Sequence, residues 1–238
     1  MKNQMIFKRY ELKYLMTRRQ KEQLLRQMEP HMSPDEYARS SVRSIYYDTP
    51  DHRLIRQSID STVYKEKLRL RSYGRPEESD EVFIELKKKY RDVVYKRRIS
   101  LPCGQAEACL DGREALPDSQ IGGEIAYTLG FYVLLQPALF LSYDREAFRA
   151  SDDGDLRVTF DENIRCRQQE LCLGSLPWGT PLLDRDMVLM ELKTPDAVPL
   201  WMVRALSEQG LYRCSFSKYG TAYRNIIFEN GKEQRRYA

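Results

Sequence analysis

Histidine is nearly missing from this chain: His31 and His52 are the only two in 238 residues. Five cysteines are present, Cys103, Cys109, Cys166, Cys172 and Cys214, and no two of them form a C-x-x-C pair. These counts argue against a structural zinc site and point to reduced thiols in a cytosolic protein. Long apolar runs are missing as well. The longest, residues 131–141, is broken by Gln136 and Pro137 and falls well short of the ~20 residues that a membrane-crossing helix needs. The first residues, MKNQMIFKRY, have no apolar signal-peptide core and run straight into a strand pattern. There is no internal repeat or low-complexity tract. Net charge is slight, +4 from 39 basic and 35 acidic residues, so bulk charge says little about binding to nucleic acid or membrane.

What the chain does have is charge placed with the parity of a β-strand. Tyr64 to Tyr73 reads YKEKLRLRSY, and successive strand side chains point to opposite faces. Lys65, Lys67, Arg69 and Arg71 therefore share one face, with Leu68 and Leu70 on the other. Neighbouring charges on such a face stand roughly 7 Å apart and repel by about 2 kcal/mol at an effective dielectric near 20. One such strand reads equally well as the wet face of an antiparallel sheet. Recurrence is what changes the reading. Glu85, Lys87 and Lys89 share a face in VFIELKKK (82–89), Lys96 and Arg98 in 93–101, and Glu11 and Lys13 in 6–15. Tyr143 and Arg145, then Arg157, Thr159 and Asp161, then Glu191 and Lys193 repeat the pattern.

The order of elements follows. Thr17 caps a helix that ends before Pro30, residues 32–39 read as a loop, and 41–48 as a strand stopped by Thr49-Pro50. Strands are expected over 62–73, 81–90, 92–101, 139–148, 156–164 and 188–194, and helices over 104–116, 118–134, 199–209 and 217–228. The segment 171–179 reads as a weak strand or loop, and 230–238 as a frayed charged tail. The fold class is α+β: an eight-stranded antiparallel sheet closed into a tunnel-like barrel, with flanking helices, in a single domain over 1–238. If the charged faces point inward, the interior cannot be dry. It has to hold a polyanion, and a string of arginines and lysines suits a linear run of phosphates. The few carboxylates among them suit a hard divalent cation, magnesium or manganese.

Several motifs then line up in order: RYELKY (9–14), SIYYDTP (44–50), KLRLRSY (67–73), ELKKK (85–89), YKRR (95–98), SYDREAF (142–148), RVTFD (157–161), MELK (190–193) and SKY (217–219). Together they resemble the polyphosphate polymerase domain of the vacuolar transporter chaperone, the VTC domain, a branch of the triphosphate tunnel metalloenzymes. The resemblance implies a tunnel in which Lys13, Arg69, Arg71, Lys87, Arg98, Arg145, Arg157 and Lys193 carry catalysis by holding phosphates. It implies that Lys218 completes the phosphate cage, that Tyr143 and Ser217 orient it, and that Glu191 and Glu11 hold Mn2+ or Mg2+. It further implies transfer of the terminal phosphoryl group of ATP to a growing polyphosphate chain. Such transfer rests on positioning and charge neutralisation, in keeping with a chain so poor in histidine.

Two departures stand out. Arg9 occupies the first glutamate position of the Glu-x-Glu-x-Lys pattern of the wider superfamily, which shifts the metal load towards Glu191. The inositol-phosphate-sensing domain and membrane anchor of the eukaryotic polymerases are not expected from these residues, and regulation and translocation are expected to come from other proteins, a membrane partner among them. The location expected is the cytoplasm, with the inner face of a membrane as a further possibility. Two alternatives to synthesis stand beside it: an inorganic or nucleoside triphosphatase on the same fold, and a non-catalytic polyphosphate-binding module.

Overall fold

The computed structural model describes residues 10–61, 63–91, 93–152 and 154–227; Arg9 and the expected charged tail at 230–238 lie outside them. The elements in chain order are β1 (Tyr10–Thr17), α1 (Arg18–Met28), β2 (Met32–Asp48), α2 (Arg53–Asp60), β3 (Tyr64–Tyr73), β4 (Glu81–Tyr90), β5 (Val93–Pro102), α3 (Cys103–Leu110), α4 (Gln120–Phe131), β6 (Gln136–Ala150), β7 (Arg157–Arg167), β8 (Thr180–Pro181), β9 (Met187–Thr194), α5 (Leu200–Glu208) and α6 (Lys218–Ala222). A single π-type turn, Tyr223–Ile227, follows α6.

The chain divides into two compact units, each assembled from three stretches of sequence. The first comprises residues 10–40, Tyr143–Ile164 and Leu183–Phe216. Here β9 lies between β1 and β7, antiparallel to both. One face of these strands carries Tyr14, Met16, Val158, Phe160, Val188, Met190 and Leu192, packed on Leu24 and Met28 of α1 and on Met202, Ala205 and Leu206 of α5. Helix α1 starts where the sequence says it should. Thr17 accepts from the Gln20 backbone N–H, and the Gln20 side chain accepts from the Thr17 backbone N–H, a reciprocal capping box.

The second unit comprises Ser41–Ser142, Arg165–Leu182 and residues from Ser217 onward. Strands β2, β3, β4 and β5 pair antiparallel in that order. Leu68, Leu70, Val82, Ile84, Leu86 and Leu101 form its apolar face, covered by Ala106, Cys109 and Leu110 of α3 and Ile125 of α4. The SIYYDTP motif has a local reason. Asp48, fully buried, accepts from the backbone N–H groups of Leu54 (2.8 Å) and Ile55 (3.0 Å), and Thr49 Oγ1 accepts from that of Arg53 (2.9 Å). The first donors of α2 are thus satisfied from the preceding strand, while His52, at φ 57°, makes the tight entry.

Three expectations need correcting. Among the described residues the paired strands form an open path with β1 and β5 at its ends, not a closed ring, and the two-residue β8, paired to β7, makes nine strands where eight were expected. Residues 32–39 are strand, not loop: MSPDEYAR has no apolar alternation to announce it, and of its side chains Met32 alone is buried, in the core of the first unit. Of two further helices, the one expected over 104–116 stops at Leu110, whereas the one expected over 217–228 continues through α6 into the π-type turn that ends at Ile227, the last described residue. In the first, Gly112 at φ 75° turns the chain away.

Candidate phosphate-handling site

Register builds the site from the residues upward. In the second unit Tyr46 stands beside Arg69, Arg69 beside Glu85, and Glu85 beside Arg98. In the next row Lys67, Lys87 and Lys96 stand side by side across β3, β4 and β5. Ser44 and Arg71 begin a third row. All project from the face opposite the leucine and isoleucine core, as strand parity requires.

Glu85 is the hub of that face. Only 1% exposed, it receives Arg69 at 2.6 Å, Arg98 at 2.5 Å, Lys96 at 2.8 Å and Arg71 at 3.8 Å. Burial pushes its carboxyl up, but the charges of Arg69, Arg71 and Lys96 outweigh it and leave the group well below the usual carboxylate range. Lys96 is drawn below the ordinary lysine value by burial, against the pull of Glu85. Arg71 also donates to Ser44 Oγ (3.1 Å), and Arg98 stacks over the Phe83 ring at 4.3 Å. Lys67 donates to Ser217 Oγ (3.0 Å), which at the same time caps α6.

Tyr46 belongs to this cluster. Its hydroxyl accepts from Arg69 at 3.1 Å, and its ring stacks on Tyr219 at 4.6 Å. Tyr219 in turn donates to Asp48 at 2.9 Å. Burial acts to raise the Tyr46 phenol, yet Arg69, Arg71 and Lys67 bring it down to about 8. We expect one of the sixteen tyrosines to ionise near pH 8 in a spectrophotometric titration, and Tyr46→Phe to remove that step. A first ionisation near the ordinary tyrosine value of about 10 would show that the cationic field is not there.

The first unit carries the carboxylates. Lys13 and Glu191 are register partners, as are Glu11 and Lys193, and Arg157 faces Lys193 from β7. Lys13 Nζ lies 3.4 Å from Glu11 and 3.5 Å from Glu191, and donates to the Phe216 carbonyl at 2.9 Å. Arg145 meets the fully buried Asp161 through two parallel bonds of 2.6 and 2.7 Å, lies 3.4 Å from Glu191, and rests over the Tyr143 ring at 5.2 Å. Burial works against its charge, but Tyr143, Asp161 and Glu191 keep it a guanidinium. Lys193, 3.8 Å from Glu191, is lowered by burial. Arg157 is exposed.

The sequence-expected residues thus fall into two groups: Lys13, Tyr143, Arg145, Arg157, Lys193, Glu11 and Glu191 in one unit, and Arg69, Arg71, Lys87, Arg98, Ser217 and Lys218 in the other. Lys218 opens α6. The functional reading of the sequence left out Tyr46, Lys67, Lys96 and Asp161. Lys67, Lys96 and Asp161 carried the parity signal, and Tyr46 sits in a strand whose parity was not followed. For a metal, no group of three or more Asp, Glu, His or Cys side chains among the described residues could form a cage. Glu11 and Glu191, flanking the same Lys13 ammonium, do fit the mode in which one or two carboxylates share a magnesium-like ion with phosphate oxygens.

Comparison with solved structures defines the fold class. A candidate adenylate cyclase from Bacillus halodurans superposes with a TM-score of 0.55 at 15% identity, over 91% of this chain and 96% of its own. An adenylyl cyclase-like protein from Hippeastrum, described as having a dominant triphosphatase activity, superposes with a TM-score of 0.52 at 14% identity, over 90% and 94%. The family model of the VTC domain matches residues 8–227, and the chain belongs to that family. No curated protein matches it.

Proposed function

We propose that the chain is a divalent-metal-dependent polyphosphate polymerase that transfers the γ-phosphoryl group of ATP to a growing polyphosphate chain. The observation that carries this reading is the cationic surplus of the second unit. Lys67, Arg69, Arg71, Lys87, Lys96 and Arg98 share a sheet face with two carboxylates, Glu85 at its centre and the exposed Glu81 at the start of β4, and the three lysines stand in direct register. Like charges placed directly opposite destabilise a sheet, and a run of phosphates offsets that cost along its whole length. Membership of the VTC family supports the same reading.

The residues act by position and charge. Glu85 holds Arg69 and Arg98 in fixed orientation, so these guanidiniums would meet phosphate oxygens without reorganising. The lysine row would neutralise successive phosphates as point charges. In the other unit Lys13, Arg145, Arg157 and Lys193 would bind phosphate oxygens, with Asp161 and Tyr143 setting the Arg145 plane. Ser217 and Lys218 would add contacts from the start of α6. Glu191 and Glu11 would hold magnesium or manganese, which supplies further charge neutralisation to the phosphates. The acceptor oxygen at a polyphosphate end is already ionised near neutral pH, the second phosphate pKa being about 6, so no side chain has to remove a proton. The new bond joins that oxygen to the γ-phosphorus as the β–γ bridge breaks, and ADP leaves with the bonding pair.

A second reading has its own support in the Hippeastrum structure, which is described by its triphosphatase activity: with water as acceptor the same charge set would hydrolyse triphosphate. Titration of Tyr46 in the presence of polyphosphate tests the binding step shared by both readings. A polyanion on the face that holds Arg69, Arg71 and Lys67 weakens the field on the phenol, so its midpoint is expected to move up from about 8. An unchanged midpoint at saturating polyphosphate would remove that face from the site.

A further inference from the structure

The opposite face of the second unit ends in an exposed apolar surface that phosphate chemistry does not use. Register places Tyr64, Tyr90 and Val93 in one row and Glu66, Lys88 and Tyr95 in the next. Helix α4 lies on this face: Arg97 donates to Glu124 at 2.9 Å, and Tyr132 donates to the buried Glu66 at 2.9 Å. The end of α4 therefore emerges at the same end of the sheet as Tyr90, Val93 and Tyr95. Tyr127, Phe131, Val133 and Leu134 are all exposed there, at 69, 54, 72 and 71%. Phe131, Val133 and Leu134 belong to the apolar stretch that is too short to cross a membrane.

Leu134 adds a second observation. Its φ is 77°, a left-handed conformation that glycine or asparagine adopts readily and a bulky side chain does not. A turn selected for stability alone would not place an exposed leucine there. Cations rim the patch. The Arg53 guanidinium lies 5.8 Å from the Phe131 ring centre and 5.3 Å from that of Tyr132, and Arg91 lies 5.4 Å from that of Tyr90. The carboxylates nearby are engaged: Glu66 by Lys88 and Tyr132, and Glu124 by Arg97.

We propose that this face docks on an anionic lipid surface, with Tyr127, Phe131, Val133 and Leu134 entering the headgroup region and Arg53 and Arg91 meeting lipid phosphates. Tyrosine and phenylalanine beside arginine are the composition that sits at a membrane–water interface. A second copy of the chain fits less well, because a two-fold contact would set this cationic rim against itself. Among the described residues no helix is long and apolar enough to cross a bilayer, so the contact is peripheral.

Co-sedimentation of the full chain with lipid vesicles tests this. Binding is expected to vesicles containing about one third phosphatidylglycerol, not to phosphatidylcholine alone, and to weaken with salt. The triple variant Tyr127→Ser, Phe131→Ser, Leu134→Ser is expected to lower partitioning by about tenfold or more with an unchanged melting midpoint. Arg53→Gln should lower it by about fivefold. Leu134→Gly, which relieves the backbone, should weaken binding without destabilising the fold. Lys87→Ala, on the opposite face, should leave partitioning unchanged. The proposal is overturned if anionic vesicles do not bind, if the triple variant binds as the wild type does, or if Lys87→Ala alone abolishes binding. A dimer that the triple variant converts to monomer, without vesicle binding, would overturn it in favour of self-association.

Discussion

Glu85→Gln is expected to destabilise the protein by about 3–5 kcal/mol at neutral pH, the cost of removing one partner from a buried charge cluster. Four cations converge on this carboxylate, and it is 1% exposed. The carboxamide keeps the shape and removes the charge that holds them together. The pH dependence has a definite sign. Because the folded carboxyl is held below its ordinary value, its contribution is complete above the unfolded value of about 4.3 and is lost as pH falls towards the depressed folded value. Urea denaturation from neutral to acid pH should therefore show the wild type losing its advantage over Glu85→Gln only below about pH 4. Equal stability of the two proteins at neutral pH would refute the hub.

Lys87→Ala is expected to act on turnover. Activity on ATP should fall by about a hundredfold, the usual consequence of removing one preorganised donor from developing charge. The melting midpoint of the variant, measured alongside, separates a loss of turnover at this row, where Lys87 stands directly between Lys67 and Lys96, from a loss of fold. Arg69→Ala and Glu191→Ala are expected to lose activity too, but each also breaks buried ion pairs. A stable Lys87→Ala protein with wild-type turnover would remove the lysine row from the chemistry.

The strands from Tyr64 to Pro102 were legible because their alternation is strong: Leu68, Leu70, Ile84 and Leu86 mark one face and the lysines and arginines the other. That pattern gave Arg69, Arg71, Lys87 and Arg98 together. It did not show that Glu85 organises them, because a lone carboxylate among cations looks the same on a wet surface as at the centre of a buried cluster. Tyr46 was hidden for a related reason. Tyr46 and Tyr47 are both buried, and only the register decides which one faces the charges and which the core. Residues 32–39 were read wrongly because MSPDEYAR carries no period-two alternation and places one buried side chain, Met32, at its start. The path closure expected from the strand count depends on pairing between β1 and β5, which no local sequence signal encodes.

The most direct test of the polymerase reading is to incubate the purified chain with ATP and manganese and resolve the products on a polyacrylamide gel stained for polyphosphate, with free phosphate assayed in parallel. The account predicts a ladder of long anions that is absent from Lys87→Ala. Free phosphate without a ladder would contradict it and leave a triphosphatase, and neither signal would leave a sheet whose cationic face only binds.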